Sequence, residues 1–171
     1  TGPGGAGNTR LAAEIAAGQD ASCPDGVWWV DLSILGAGAA APDVVADAVA
    51  EALAVPVVGD PLHALAKHLA ARRLLLCLDN AEHLLDAVAT VVEAVLRDCP
   101  PVTVLVTSRE PLGVAGEAVL VVPPLSDDDA VALFTDRARL VLPSFTVDGA
   151  NEVAVRSIAA HLDGIPLALE L

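Results

Sequence analysis

Three groups of residues in this 171-residue sequence have types and spacings that suit the binding of phosphate. The first, Gly2 to Thr9 (GPGGAGNT), matches the phosphate-loop pattern G-x-x-x-x-G-K-[ST] at every fixed position except the lysine, which is Asn8. Glycines let the backbone turn its N–H groups inward around phosphate oxygens, and a following helix N-terminus adds positive potential. The Thr9 hydroxyl is then expected to bind Mg²⁺. The alternative for this segment is a flexible glycine-rich turn before a helix.

The second group is the carboxylate of Asp79, which ends the continuous apolar run Leu74 to Leu78 (LLLCL). Such a run is typical of a strand that is buried on both faces of a parallel sheet. A carboxylate at the end of such a strand can hold the Mg²⁺ shell of a nucleotide, directly or through water. The alternative is an aspartate that caps the next helix.

The third group is Thr107-Ser108-Arg109, which follows a second apolar run, Val102 to Val106 (VTVLV). A polar segment after a buried strand can reach the γ-phosphate, where Arg109 would sense or neutralise negative charge. The alternative is an arginine that only solvates the end of the strand. The three groups in this order are far less expected by chance than any one of them alone.

The elements that must position these residues alternate between strands and helices. This alternation predicts an α/β fold with a parallel sheet, in which ligands bind at the C-terminal ends of the strands. Besides the two apolar runs, the patterns predict a helix at Thr9 to Ala17, a strand at Val27 to Leu32, a Gly/Ala-rich loop, helices opening at Pro42-Asp43 and Asp60-Pro61, a helix at about Glu82 to Arg97, and a strand at Ala118 to Val122.

After Pro123-Pro124 the pattern becomes purely helical. Ser126 to Asp129 resemble a capping box, a helix is expected at about Asn151 to Leu162, and Pro166 begins a last helix. We therefore predict a core at residues 1–124 and a helical lid subdomain at residues 125–171.

The composition limits the class of protein. The sequence is 54% hydrophobic, which is ample for a buried core, and no apolar run is long enough to span a bilayer. With a net charge of −14 and only 9 Lys and Arg residues, the segment is not expected to bind nucleic acid or an anionic membrane by itself. The three cysteines are expected to be reduced thiols. Because the sequence has no methionine and opens inside a motif, we expect it to be part of a longer chain.

The segments GPGGAGNTRLA, LLLCLDNAEHLL, VTSREPLGV and GIPLALEL, in this order, resemble the STAND class of NTPases, close to the NB-ARC type. The nearest resemblance is to the ATPase core of large bacterial transcriptional regulators, and it covers nearly the whole chain. It implies a P-loop NTPase sheet followed by a helical lid, and a cytoplasmic switch that holds ADP at rest and exchanges it for ATP. The usual neighbours of such a core are a DNA-binding domain and a repeat-built sensor, and nucleotide-dependent oligomers are possible for the class.

The resemblance also assigns roles to individual residues. Asp79 and Thr9 would hold Mg²⁺, Arg109 would be the phosphate sensor, and Pro166 would lie near the adenine. Asp79, Arg109 and Glu82 are the candidate catalytic residues, although Glu82 is also explained as an acid at a helix start. The candidate residues for binding ATP or ADP at the loop are Gly2, Gly4, Gly5, Ala6, Gly7, Asn8, Thr9 and Arg10.

Three features depart from the pattern of this class. Asn8 replaces the lysine, and Arg10 lies about 200° further around the helix axis, so it points away from the phosphates. Losing one charge-assisted hydrogen bond costs about 1.5–3 kcal/mol. Asn80 stands where a second acid often follows the Asp79 position. The strand that precedes the loop in this fold is not in the sequence, so we expect residues 1–171 alone to be poorly stable.

The sequence therefore predicts an adenine-nucleotide switch whose hydrolysis is weakened or lost. Two alternatives stay open, a slow but functional ATPase and a degenerate scaffold that uses the fold only for protein contacts. The retention of Thr9, Asp79 and Arg109 favours the switch, because a scaffold has no chemical reason to keep them.

Overall fold

A computed structural model describes residues 1–19, 21–36 and 41–171 as two compact units. The sheet unit comprises Thr1 and Thr9–Leu120, and the helical unit comprises Gly2–Asn8 and Val121–Leu171. The domain boundary after residue 124 stays a prediction. Within the described ranges, none of the helices combines the length and apolar character that crossing a bilayer requires.

The sheet unit is built on three parallel strands in the order β1-β2-β3. They are β1 (Val27–Asp31), β2 (Leu75–Asp79) and β3 (Thr103–Val106). Every residue of the central strand β2 is buried, as the continuous apolar run predicts. The predicted mixed α/β architecture with a parallel sheet is therefore confirmed, and its identity as a P-loop NTPase sheet stays a prediction.

Four α-helices belong wholly or mainly to this unit: α1 (Asn8–Ala17), α2 (Pro42–Ala52), α3 (Pro61–Leu69) and α4 (Leu85–Asp98). The helices α2 and α3 both begin with proline, and the Asp60 carboxylate accepts a hydrogen bond from the His63 amide at the start of α3. The Gly/Ala-rich loop expected before α2 includes residues 37–40, which lie outside the described residues.

The helix predicted from Glu82 begins later, so that prediction is wrong at its N-terminus. Asn80 has a left-handed backbone with φ 64°, a conformation that asparagine tolerates better than most residues. The chain then forms a short 3₁₀ turn at Ala81–His83 before α4 starts at Leu85. The helical periodicity of α4 is real, but it does not reveal this turn.

The strand predicted at Ala118 to Val122 does not form, and residues 118–122 have no regular secondary structure. Val119, Leu120 and Val121 are exposed. A strand needs a neighbour to satisfy its backbone groups, and among the described residues no strand pairs with this segment. Alternation of valine and leucine therefore indicates an intrinsic preference for extended backbone and does not by itself produce a ladder.

The buried side chains of the sheet unit form two clusters of very different size. The larger cluster, here called the thick face, joins Leu74, Leu76 and Leu78 to α2, α3 and α4. The smaller cluster, the thin face, consists of Ala16, Cys23, Leu75 and Cys77. Successive residues of β2 thus point to opposite faces, as the pleat of a strand requires.

The helical unit contains α5 (Asp127–Val141), α6 (Glu152–His161) and α7 (Pro166–Glu170), which pack around Ala130, Ala159 and Leu169. The predicted cap is confirmed, because the Ser126 hydroxyl accepts a hydrogen bond from the Asp129 amide. Gly164 has φ 63°, and a Cβ there would lie only 2.5 Å from the Leu125 carbonyl oxygen. This position therefore requires glycine.

Candidate functional site

The parallel register brings two predicted polar residues together at the ends of neighbouring strands. Leu78 of β2 pairs with Val106 of β3, so the next residues, Asp79 and Thr107, lie side by side on one face. The Thr107 hydroxyl donates a short hydrogen bond to Asp79 Oδ1 and accepts one from the Asn80 amide at 3.0 Å. Asp79 and Thr107 are each only 7% exposed. The carboxylate is therefore held in a fixed position at the end of the sheet.

Thr9, the second residue of α1, contacts the same carboxylate. Its hydroxyl donates to Asp79 Oδ1 at 2.8 Å, so this one oxygen accepts hydrogen bonds from two threonines. The structure thus places the two residues predicted to hold Mg²⁺ in direct contact, although their sequence positions are 70 residues apart.

The donor set suits a magnesium ion that keeps most of its waters. Hydroxyl and carboxylate oxygens are the ligands that Mg²⁺ prefers, and it commonly takes one or two from the protein and the rest from water and phosphate. In the part of the chain that the structure describes, no group of three or more His, Cys, Asp or Glu residues is placed to hold a metal. A cage made only of protein ligands is therefore not offered by these residues, whereas Thr9 and Asp79 supply two oxygen donors of the kind that a hydrated magnesium ion takes from a protein.

Glu82 and Arg109, which the sequence assigns to different roles, form an ion pair. Arg109 Nε lies 3.3 Å from Glu82 Oε1, with side-chain exposures of 65% for Arg109 and 25% for Glu82. The 3₁₀ turn after β2 places Glu82 there, since the Ala81 amide donates to the Thr107 carbonyl at 3.0 Å. Exposed pairs of this kind are worth about 0–1 kcal/mol. Arg109 can therefore leave Glu82 at little cost when another anion approaches.

The glycine-rich loop lies in the helical unit. Gly5 and Gly7 have φ of 81° and 99°, conformations that side-chain-bearing residues rarely adopt, and the Ala6 amide donates to the Pro3 carbonyl. Asn8 Nδ2 donates to the Gly2 carbonyl at 3.1 Å. Asn8 Oδ1 is buried and has no hydrogen-bond partner among the described residues. The residue in the lysine position is thus turned back onto its own loop.

The segment Gly164 to Leu167 contacts this loop within the helical unit. The Leu167 amide donates to the Gly5 carbonyl at 3.2 Å. A Cβ at Gly5 would lie 2.9 Å from Leu167 Cβ and 3.1 Å from Ile165 Cγ2. Pro166, the first residue of α7, is therefore flanked by two residues that pack on the loop, and its contact with adenine stays a prediction.

Gly4 and Arg10 are exposed, and each stays a predicted binding residue. The sequence singled out Thr107 only as part of a polar strand end and missed its bond to Asp79. The signal was present in principle, since a parallel register of the two apolar runs would align these positions. Sequence periodicity alone does not fix a register.

A buried thiol lies on the same face as Asp79. Burial, and to a smaller extent the negative charge of Asp79 and the neighbouring Cys23, together raise the pKa of Cys77 to about 11. The thiol is therefore protonated at neutral pH, when it is a poor nucleophile. Cys77 is a packing residue of the thin face.

No family model matches the chain. Individual proteins do match over nearly its whole length. A Mycobacterium tuberculosis (H37Rv) protein named as a predicted HTH-type transcriptional regulator is 45% identical over 174 residues, covering 99% of this chain and 19% of the relative. An uncharacterized protein of the same strain is 42% identical over 174 residues, covering 100% of this chain and 43% of the relative.

The regulatory protein AfsR of Streptomyces griseus is 33% identical over 177 residues, which cover 99% of this chain and 17% of the relative. The chain thus spans about a fifth of the length of the two regulators that it matches. It is similar, from end to end, to one segment of large bacterial transcriptional regulators.

Proposed function

We propose that the chain is the adenine-nucleotide-binding switch module of a signal-responsive bacterial regulator. The observation that carries this proposal is the convergence of Thr9 and Thr107 on the Asp79 carboxylate, directly after a glycine-rich loop in the sequence. Burying a carboxylate costs free energy unless hydrogen bonds or a bound cation compensate for the lost water. The C-terminal end of a parallel sheet, where Asp79 lies, is the usual place for a ligand. The motif order supports a ligand.

In this proposal Thr9 and Asp79 hold Mg²⁺, which supplies charge neutralisation for the nucleotide phosphates when it is bound. Thr107 orients the Asp79 carboxylate through its hydrogen bond. The backbone of Gly4 to Thr9 would offer N–H groups to the phosphates, and Pro166 would be the residue near the adenine. Arg109 exchanges its contact with Glu82 for a phosphate oxygen, which its exposed position allows.

Hydrolysis is expected to be slow or lost. Asn8 supplies no cation for the developing charge, and losing such a preorganised group costs about 10²–10³ in rate. Asn80 carries no carboxylate, and Glu82 is engaged by Arg109. These residues therefore suit a switch, which responds to the nucleotide that is bound, better than an enzyme that hydrolyses ATP. A slow ATPase is the alternative.

A scaffold without nucleotide is the second candidate, and one observation favours it. The Asn8 amide already bonds to the Gly2 carbonyl, so the loop has a partner of its own in the position where a lysine would face phosphate. A scaffold would use the fold only to contact other domains or proteins. The two candidates differ in whether nucleotide binds at all.

The relatives supply the context of a regulator. In a cytoplasmic protein of that kind, other domains of the parent chain would bind DNA and sense the signal, since this segment carries a net charge of −14. Nucleotide exchange in this module would change its contacts with those domains, or promote oligomers of the parent protein.

The test is a titration of the full-length parent protein with fluorescent ATP and ADP, with and without Mg²⁺. We expect binding at or below millimolar nucleotide, and an increase in affinity of roughly 10-fold or more for Asn8→Lys, the worth of one charged hydrogen bond. Asp79→Asn keeps the shape and the acceptor for both threonines, but it should remove the effect of Mg²⁺.

Circular dichroism establishes that each variant is folded before its titration is compared with that of the parent. If neither the parent nor Asn8→Lys binds at millimolar nucleotide while folded, the switch is excluded and the scaffold is favoured. Equal affinity of the parent and Asn8→Lys would show that Asn8 is not the limiting defect.

A further inference from the structure

The Asn8 side chain spans the glycine-rich loop and joins its end to its beginning. Nδ2 donates to the carbonyl of Gly2, six residues earlier, at 3.1 Å. We propose that Asn8 is a positioning residue that holds this loop in a closed shape, in addition to lacking the charge of a lysine. The inference rests on the proposed function in one respect, since the loop's ligand is taken to be a nucleotide phosphate.

The shape of the loop fits the hydrogen bond from Asn8 to Gly2, which we call the bridge. Gly2 is buried, and a Cβ there would lie 2.9 Å from Asn8 Oδ1 and 2.7 Å from the Val122 carbonyl oxygen. Any larger residue at position 2 would therefore displace the Asn8 amide or the backbone beside it. Inside the bridge the Ala6 amide donates to the Pro3 carbonyl at 3.1 Å, so a second hydrogen bond depends on the same closed shape.

The bridge is weak because it is a single hydrogen bond between neutral groups. A neutral hydrogen bond changes a conformational equilibrium by only about 2- to 10-fold. The other end of the same amide, Oδ1, is buried and has no hydrogen-bond partner in the described part of the chain, which opposes the closed shape. The loop is therefore closed by a small margin, and a phosphate that binds its N–H groups can displace the amide.

The variant Asn8→Ala distinguishes this role from a simple loss of the lysine charge. If the missing charge is the whole effect, Asn8→Ala binds nucleotide no better than the parent, because alanine supplies no cation either. If Asn8 also ties the loop, alanine removes a competitor of the ligand. The affinity of Asn8→Ala for ADP should then rise by about 2- to 10-fold.

The experiment is hydrogen–deuterium exchange of the full-length protein without nucleotide, read by mass spectrometry on peptides that cover residues 2–9. In Asn8→Ala we expect the protected Ala6 amide to exchange about 2- to 10-fold faster than in the parent. Asn8→Gln retains the amide donor on a longer side chain and should restore most of the protection. Peptides from α4 provide the internal reference and should not change.

Unchanged exchange at residues 2–9 in Asn8→Ala would overturn the bridge, whatever the nucleotide does. Faster exchange that Asn8→Gln fails to reverse would overturn it too, since the amide would then not be the cause. If exchange responds as expected but neither Asn8→Ala nor Asn8→Lys binds nucleotide, the bridge stands and the proposed function fails.

Discussion

The two faces of the central sheet differ in what covers them. On the thick face Leu74, Leu76 and Leu78 pack against three helices, α2, α3 and α4. On the thin face Leu75 and Cys77 pack with two further buried residues, Ala16 and Cys23. A groove of about 320 Å³ opens on the thin side, between α1 and the outer strand β3. One strand thus separates a deep core from a shallow one.

The polar cluster formed by Thr9, Asp79 and Thr107 belongs to the thin face. Asp79 follows Leu75 and Cys77 at intervals of two residues, and Thr107 follows Leu105 in the same way on β3. The helix that lies on this face, α1, begins with Asn8 and Thr9. The comparison suggests a division in which the thick face stabilises the unit and the thin face ends in the residues available for a ligand.

The largest expected effect comes from truncating neighbouring leucines of β2 that point to opposite faces. Leu76→Ala should lower the free energy of unfolding by about 4–5 kcal/mol, because close-packed helices cannot collapse into the cavity. Leu75→Ala should cost about 2–3 kcal/mol, since the groove beside it allows side chains and water to adjust. Urea unfolding of the two variants measures this difference.

Leu75→Ala and Leu76→Ala make the same substitution at adjacent residues of one strand, so the two variants differ mainly in the face of the sheet that they affect. Both leucines are at most 4% exposed in the folded protein. Equal losses of stability for the two variants would show that the thin face is as tightly packed as the thick one, and the division between the faces would fail.

The sequence predicts the thick face well and the polar cluster only in part. The run Leu74 to Leu78 indicates a strand buried on both sides, and the structure confirms it at β2. Helical spacing likewise predicts α2, α3 and α4, because one apolar stripe per helix is enough to locate it. These features depend on local pattern.

What the sequence could not supply depends on pairing. The bond between Thr107 and Asp79 requires the register of β2 and β3, which lie 28 residues apart at these positions. The failure of the segment from Ala118 to Val122 to form a strand has the same origin, because a ladder needs a neighbour. The bond from Asn8 to Gly2 depends on loop backbone geometry, which composition does not determine.

The next prediction concerns the hydrogen bonds at the end of the thin face. Thr107→Val keeps the side-chain shape but removes the donor to Asp79 and the acceptor for the Asn80 amide. We expect the free energy of unfolding to fall by about 1–3 kcal/mol, since the Asn80 amide loses its acceptor and, among the described residues, the Asp79 carboxylate keeps only the donor of Thr9. Thermal or urea unfolding provides the measurement.

Thr103→Val is the matched control for this variant. Thr103 begins β3, the strand that Thr107 follows, and lies on the same face, but it is exposed, so its replacement should change stability by no more than about 0.5 kcal/mol. A loss for Thr103→Val as large as that for Thr107→Val would mean that valine disturbs β3 itself. The polar cluster would then not be the source of the effect.

The smallest effect is a pH dependence of stability that arises from the Cys77 thiol on the thin face. Burial first, and then the Asp79 carboxylate and Cys23, raise the pKa of Cys77 from 9.0 to about 11 in the folded protein. An unfolded thiol ionises near pH 9, so between pH 9 and 11 the folded state holds a proton that the unfolded state has lost. The stability that this provides is complete below pH 9 and is lost as the pH rises toward 11.

Cys77→Val removes this titration, and the slope of unfolding free energy against pH measures the change. Between pH 9 and 10 the parent should lose up to about 1 kcal/mol more than the variant, because a full proton difference is worth ~1.4 kcal/mol per pH unit. Cys99→Val is the comparison on the thick face, where burial and Asp98 also raise the pKa of the thiol. Asp79→Asn should reduce the part of the slope that Cys77 contributes, because the Asp79 charge acts on Cys77. The part that Cys99 contributes should stay the same. A slope that is the same in the parent and Cys77→Val would show that water entering from the groove solvates the thiolate, which would make the thin face more open than its packing indicates.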